Sequence, residues 1–279
     1  MRHYLLNDRQ IGPRLKASVV LAEKANQLYR DTNYTDLISF EEDIAKISTM
    51  VLVIVESPGS FAEVGAFSAN DTIRKSLTIL MQEKYAEGES FIRFGPVERI
   101  KKDDPDRVAF FPWRLNGKNS IIKSSARSHV ADIIRFINNQ VTRIPTEQKF
   151  INNSDIQIFI VLYWIIHTSM AISISKLTLY FDNIHNFNPQ FREVDPIEIR
   201  KALYCMKLAG WIESIHYSNI DYYCCTNDID PFRYKFKSEA LEKDSIRRKS
   251  DVVAAIQHEL SLPKYVRSQA ASKRGAISK

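Results

Sequence analysis

The chain has 279 residues, of which 44 % are hydrophobic and 26 % charged, with 8 glycines and 10 prolines. That composition excludes a collagenous, low-complexity or disordered chain, and the length allows two domains, each with a sizeable core. The net charge of +6 is uneven: residues 231–279 hold 12 Lys or Arg against 5 Asp or Glu, so the C-terminal fifth carries the basic excess.

That basic segment reads either as a solvated tail or as a contact for nucleic acid or another polyanion. Three cysteines, two of them adjacent at Cys224 and Cys225, offer neither a disulfide framework nor zinc-ligand spacing, so no metal site is expected. The longest apolar run, "IQIFIVLYWIIHTSMAISI", is interrupted by Gln157, His167 and hydroxyl residues. It reads as a buried helix rather than a membrane span. No apolar leader follows Met1, and a cytoplasmic location is expected.

In chain order, residues 1–15 read as a helix stopped by Gly12-Pro13, and Ala17–Glu23 as a short buried strand. A helix is predicted over Asp36–Ile47, where Leu37, Phe40, Ile44 and Ile47 recur at helical spacing. "MVLVIV" (Met50–Val55) is β-branched, short and apolar on both faces, the pattern of an inner parallel strand. A helix opening at Ser60 and a strand over Ser76–Met81 follow. Alternating strands and helices define an α/β fold with a doubly wound parallel sheet. From Phe91 to Arg114 periodicity is lost and "KKDDPDR" reads as a solvated loop. "KSSARSHVADIIRFINNQV" then predicts a helix capped by Ser124 or Ser125. Arg143–Asp155 resembles a linker, which places the domain boundary near residue 148, with domains over 1–148 and 149–279.

The second half predicts helices over Ile156–His167, "ISISKLTLYFDNI" and "DPIEIRKALYCMKLAGW". The last has Asp195 as N-cap, Pro196 at its first position and Gly210 at its end. Two strand-like runs, "WIESIHY" and "DYYCCT", are joined by "SNI". Three helices and a hairpin make a mainly α, winged-helix-like domain, which suits nucleic-acid or protein contact equally. Arg200 and Lys201 on the third helix, and the cluster Arg247, Arg248 and Lys249, are the candidate nucleic-acid-binding residues.

The chemistry concentrates between Val55 and Gly65, "VESPGSFAEVG", at the carboxyl end of a predicted parallel strand, where open α/β sheets bind ligands. Gly59 permits a tight loop with close backbone approach. Ser57 or Ser60 can cap the helix, whose N–H groups suit a phosphate or ribose oxygen. Glu63, placed in the first helical turn, could attack or stabilise an oxocarbenium-like sugar carbon, and Glu56 could assist the leaving base. Ser60 and Glu63 also match a capping box, which needs no catalysis. Glu23 is a candidate ribose contact or a helix-start residue.

The stretch "ESPGSFAEVGAFS", with "SFIRFGPV" (Ser90–Val97) further on, resembles retron-associated effectors with a nucleoside 2-deoxyribosyltransferase-like domain. The resemblance is specific over Asp36–Val97 and follows the order of elements beyond. It implies a domain that cleaves the N-glycosidic bond of NAD or a nucleotide, with no cofactor required. It also implies a second domain docked on a reverse transcriptase and its branched RNA–DNA product, in a toxin-like anti-phage defence system. A homo-oligomer is compatible with it. By motif, Glu63 is the nucleophile, with Ser57, Gly59 and Ser60 in the ligand-facing turn. Two departures stand out: Thr49 occupies a position where an Asp commonly opens the strand, and the sheet is expected to lack its first strand. The alternative is a non-catalytic binding component.

Overall fold

The structure, a computed structural model, describes residues 34–117, 121–145, 156–187, 191–232 and 245–275, with Leu15, residues 18–21, 149–150 and Ser154. Its contacts form two compact units, one including Asp36–Lys149, the other Phe150–Lys279 together with Tyr34 and Thr35. The linker expected over Arg143–Asp155 falls largely outside the described residues, as does Glu23.

The first unit runs α1 (Leu37–Ile47), β1 (Val51–Ile54), α2 (Pro58–Ala69), α3 (Asp71–Arg74), β2 (Leu77–Gln82) and α4 (Lys84–Glu87). A π-helical turn (Arg93–Val97), α5 (Glu98–Asp103), β3 (Val108–Phe111), α6 (Lys123–Arg127) and α7 (Val130–Thr142) complete it. The three strands are parallel in the order β1-β2-β3, with Val51 opposite Leu77 and Ile79 opposite Val108. Side chains alternate across the sheet. Val53, Ile79, Met81 and Val108 pack with Val64 and Phe67 of α2 and Ile100 of α5 on one face. Leu80, with Leu52, Ile54 and Ala109, packs with Ile133, Ile134 and Ile137 of α7 on the other. Helices on both faces of a parallel sheet make this unit α/β.

Several local expectations change. Among the described residues β2, not β1, is the inner strand; it is buried along nearly its whole length, whereas β1 pairs only with β2. Residues 18–21 are not a strand, and Val19 is 51 % exposed. An apolar run becomes a strand only when a neighbour accepts its ladder bonds. The aperiodic stretch after Phe91 holds α5 and β3, hidden because each is short and the π-helical turn breaks the helical period. Its acids are tied down: Asp103 pairs with Arg74 at 3.0 Å, and Arg143 with Asp104 at 3.3 Å and Asp106 at 3.2 Å. Neither Ser124 nor Ser125 caps α6, which starts at Lys123; the Ser125 hydroxyl instead accepts the Arg114 N–H at 2.7 Å.

The second unit runs α8 (Gln157–Ser169), β4 (Ile172–Ser173), α9 (Ile174–Phe187) and α10 (Pro196–Leu208). The hairpin β5 (Ile212–Tyr217) and β6 (Ile220–Cys225) and the helices α11 (Ser245–Leu260) and α12 (Lys264–Gly275) follow. The sheet is antiparallel in the order β4-β6-β5. Asp195 caps α10 with Glu198 in a reciprocal box. Gly210, at φ +72, closes the helix by sending Trp211 N–H to Met206 O at 2.9 Å. Ser218 and Asn219, both at positive φ, form the two-residue turn between β5 and β6. Much of the basic C-terminal segment is not a solvated tail but helix. Leu262, Val266 and Ala270 are buried with Ile215 and Cys224. The signal was an apolar residue every fourth position within a charged sequence.

Candidate functional site

The acid-bearing turn follows β1. The Val55 N–H still donates to Leu80 O at 2.9 Å, so pairing with β2 persists to the edge of the turn. Ser57 is the N-cap of α2 and Pro58 its first residue, so the helix opens before Ser60. Ser57 and Ser60 form the capping box with each other. The buried Ser60 hydroxyl accepts the N–H groups of Glu56 and Ser57, both at 2.9 Å, and donates to Ser57 O at 2.8 Å. The Phe61 N–H reaches Ser57 O at 3.2 Å.

This corrects the expected Ser60–Glu63 box. The cap is complete without Glu63, which stands in the second turn of α2 rather than the first. Its side chain is exposed, on a surface shared with Gly59, Ala62 and Ala66. A Cβ built on Gly65 would meet no atom within 4 Å, but Gly65, two residues on, lies on a different face of α2 from Glu63. Glu56 is half-buried at the head of the turn, with its Oε1 withdrawn from solvent. The motif at Ser90–Val97 forms the π-helical turn packed on α2, with Phe91 and Phe94 exposed and the Arg93 guanidinium 5.0 Å from the Phe94 ring.

The candidate basic residues are placed less uniformly. On α10, Arg200 is exposed, while the Lys201 ammonium lies 4.9 Å from the Tyr34 ring. On α11, Arg247 is exposed and Lys249 is ion-paired with Asp230; the Arg248 side chain lies outside the described residues. Lys273 pairs with Glu213, and Arg274 with Asp228 at 3.4 Å, so part of the C-terminal basic charge is spent inside the unit. Among the described residues no group of His, Cys, Asp or Glu could hold a metal ion, and no helix is long and apolar enough to cross a membrane.

Sequence reasoning missed a cleft of about 430 Å³ at the carboxyl ends of β2 and β3, lined by Gln82, Lys84, Trp113 and Arg114 among others. The only signal was position. These residues follow strands of a parallel sheet, but β3 was itself hidden in the aperiodic stretch.

A parallel sheet covered on both faces, with an exposed carboxylate on the helix that leaves its first described strand, defines an α/β protein, a class in which ligands bind outside the carboxyl ends of the strands. The comparisons narrow this class. A profile of the STM3845 retron effector protein matches residues 1–214, and the chain belongs to that family. It is 39 % identical over 66 residues to the Escherichia coli protein named "Retron Ec86 putative ribosyltransferase/DNA-binding protein", covering 24 % of this chain and 22 % of that protein. It is 30 % identical over 98 residues to the corresponding retron Ec73 protein of Escherichia coli, covering 35 % of this chain and 31 % of that one. The matched stretches therefore span less than a third of either relative.

Proposed function

We propose that this retron effector cleaves the N-glycosidic bond of NAD or a nucleotide. The Glu63 carboxylate attacks the anomeric carbon as the bond to the base breaks, and the electron pair leaves on the base nitrogen. For a nucleotide, Glu56 protonates the leaving base and then takes a proton from the water that releases the sugar; nicotinamide leaves NAD neutral without a proton, and there Glu56 acts only on the water. The observation that carries this reading is that α2 is fully capped by Ser57 and Ser60, leaving an exposed Glu63 with no role in the cap. The ribosyltransferase half of the relatives' names belongs to the same class of glycosyl transfer.

In the second unit, the order helix, strand, helix, helix, hairpin with sheet order β4-β6-β5 supports a winged-helix module. The relatives' DNA-binding designation agrees with it. We assign that module to docking on the retron reverse transcriptase and its branched RNA–DNA product. The whole would act in the cytoplasm as the toxin-like arm of an anti-phage system. If only this module functions, the protein is a non-catalytic binding component.

The test compares wild type with Glu63→Gln and Glu56→Gln for consumption of NAD and of nucleotides. Loss of turnover in Glu63→Gln is expected; equal consumption would sink the nucleophile assignment.

A further inference from the structure

The antiparallel sheet of the second unit has a helix on each face, and the two faces differ in charge. On β5, Glu213 pairs with Lys273 of α12, Ile215 is buried with Val266, and the Tyr217 ring stacks on Tyr265 at 5.5 Å and 26°. Residues two apart on a strand share a face, so α12 runs along this face from Glu213 to the tip of the hairpin. Ile220 is the register partner of Tyr217 and joins it there. The next register pair, His216 and Asp221, turns to the other face, where their Nδ1 and Oδ1 atoms lie 2.9 Å apart. On that same face Lys207 of α10 donates to Ser214 at 3.0 Å. The acid at the tip is thereby kept on the α10 side.

Three large side chains at the tip stay open to solvent on the α12 side: Tyr217 is 39 % exposed, Ile220 44 % and Tyr265 50 %. A lone exposed apolar residue is ordinary, but stacked tyrosines beside an isoleucine form a contiguous patch. The charge comes from α12, whose 12 residues, KYVRSQAASKRG, include four cations and no acid. Lys273 and Arg274 are ion-paired. Lys264 and Arg267 are exposed and form no ion pair among the described residues. Three positions apart, they are neighbours on the outward crest of the helix. The exposed Ser268, four from Lys264 and three from Tyr265, links that crest to the rings. On α10, by contrast, Lys201 lies on the Tyr34 ring and Lys207 on Ser214.

A phosphate by itself needs only the cations. Exposed rings beside them suit a ligand that also carries a flat face, and an unpaired base offers one to an aromatic side chain. In a duplex those faces are taken up by neighbouring bases. We propose that the hairpin tip and α12 bind single-stranded nucleic acid, with a base against Tyr217 and Tyr265 and backbone phosphates on Lys264 and Arg267. The proposal rests on the assignment of the second unit to nucleic-acid docking, and it moves that contact from α10 to the opposite face of the sheet.

The test is fluorescence anisotropy of the full chain with a labelled oligodeoxythymidine of about twelve nucleotides, within the span of one single-strand site. Saturable binding is expected, weakened about fivefold or more by Tyr217→Ala or Tyr265→Ala and retained by Tyr265→Phe, which keeps the ring. Replacing Lys264 and Arg267 together by Ala should lower the slope of log affinity against log salt by about 1.4, the loss of two phosphate contacts on a single strand. Matching melting curves separate a lost contact from a lost fold. A blunt duplex of the same length should bind more weakly, and poly-glutamate, which has charge but no bases, should not compete. Equal affinity in Tyr265→Ala, or full competition by poly-glutamate, overturns the proposal. If binding falls with Arg200→Ala and not with the α12 variants, docking stands and its location on α12 is wrong. If the wild type binds no nucleic acid, the docking assignment falls as well.

Discussion

The Ser60 hydroxyl oxygen lies 2.9 Å from the backbone nitrogen of Glu56 and accepts its N–H. One buried side chain thus ties the first acid of the turn to the helix that carries the second. Ser60→Ala removes this acceptor, a second one for Ser57 N–H, and a donor to Ser57 O. The expected cost is about 1–3 kcal/mol, from buried polar groups left unpaired. Ser57→Ala, a loss of the cap alone, should cost about 1 kcal/mol. Chemical denaturation of the two variants checks the order; a neutral Ser60→Ala would contradict it.

Glu63 sits outside the cap, so stability and activity should separate there. Glu63→Gln is expected to change stability by no more than about 0.5 kcal/mol, as for an exposed residue without a structural role, while turnover is lost. A capping role would instead cost about 1 kcal/mol. Thermal melts of the purified variant decide between them.

Gly65 gives a converse test. Its added Cβ meets nothing in the folded chain, and helix interiors favour Ala over Gly by about 0.5–1 kcal/mol. Gly65→Ala should therefore raise the melting temperature. Gly65 lies on a different face of α2 from Glu63, so turnover should be unchanged. A variant that melts no higher than wild type would contradict the expectation.

Arg274 closes the second unit. Its Nη2 donates to the carbonyls of His167 and, at 3.5 Å, Met170, at the C-terminal end of α8, and its side chain is only 15 % exposed. Positive charge at a helix C-terminus is favourable. Arg274→Ala is expected to destabilise this unit by about 1–3 kcal/mol, with Arg274→Lys intermediate because one ammonium cannot reproduce the fork. Emission from Trp164 and Trp211, both in this unit, follows its unfolding.

His167 makes the same unit acid-sensitive. Burial pushes its imidazole below the ordinary pKa of 6.5, and the Arg274 guanidinium adds to this, against the opposing pull of Asp228 and Asp230. As pH falls below about 6.5, the unfolded chain takes up a proton that the folded one resists. Stability is thus full above that value and lost as pH drops through the folded pKa. His167→Gln should flatten this acid limb. An unchanged difference between the melts of wild type and variant across it would show that His167 does not contribute.

The α/β alternation was legible because β1, β2 and their helices carry clean apolar patterns. Asp195, Pro196 and Gly210 likewise announced the ends of α10, since capping chemistry is local. The candidate site was legible in part. "ESPGSFAE" placed two acids at a strand's end, but it left Ser57 and Ser60 as alternative caps and offered Glu63 as the box partner of Ser60, because both hydroxyls are competent. Arg114 and Trp113 were out of reach: nothing in "FPWRL" shows that Gln82 crosses to brace it.

By itself, then, the sequence determined periodicity, the caps that lie within a few residues, and the residues available for chemistry. These depend on contacts close along the chain. Only the tertiary structure decided that β2 is the inner strand among the described residues, that Lys249 and Arg274 are paired within their own unit, and that a cleft opens at Trp113. Each of these rests on which distant groups meet. Burial and pairing between residues far apart in sequence leave no local periodic trace.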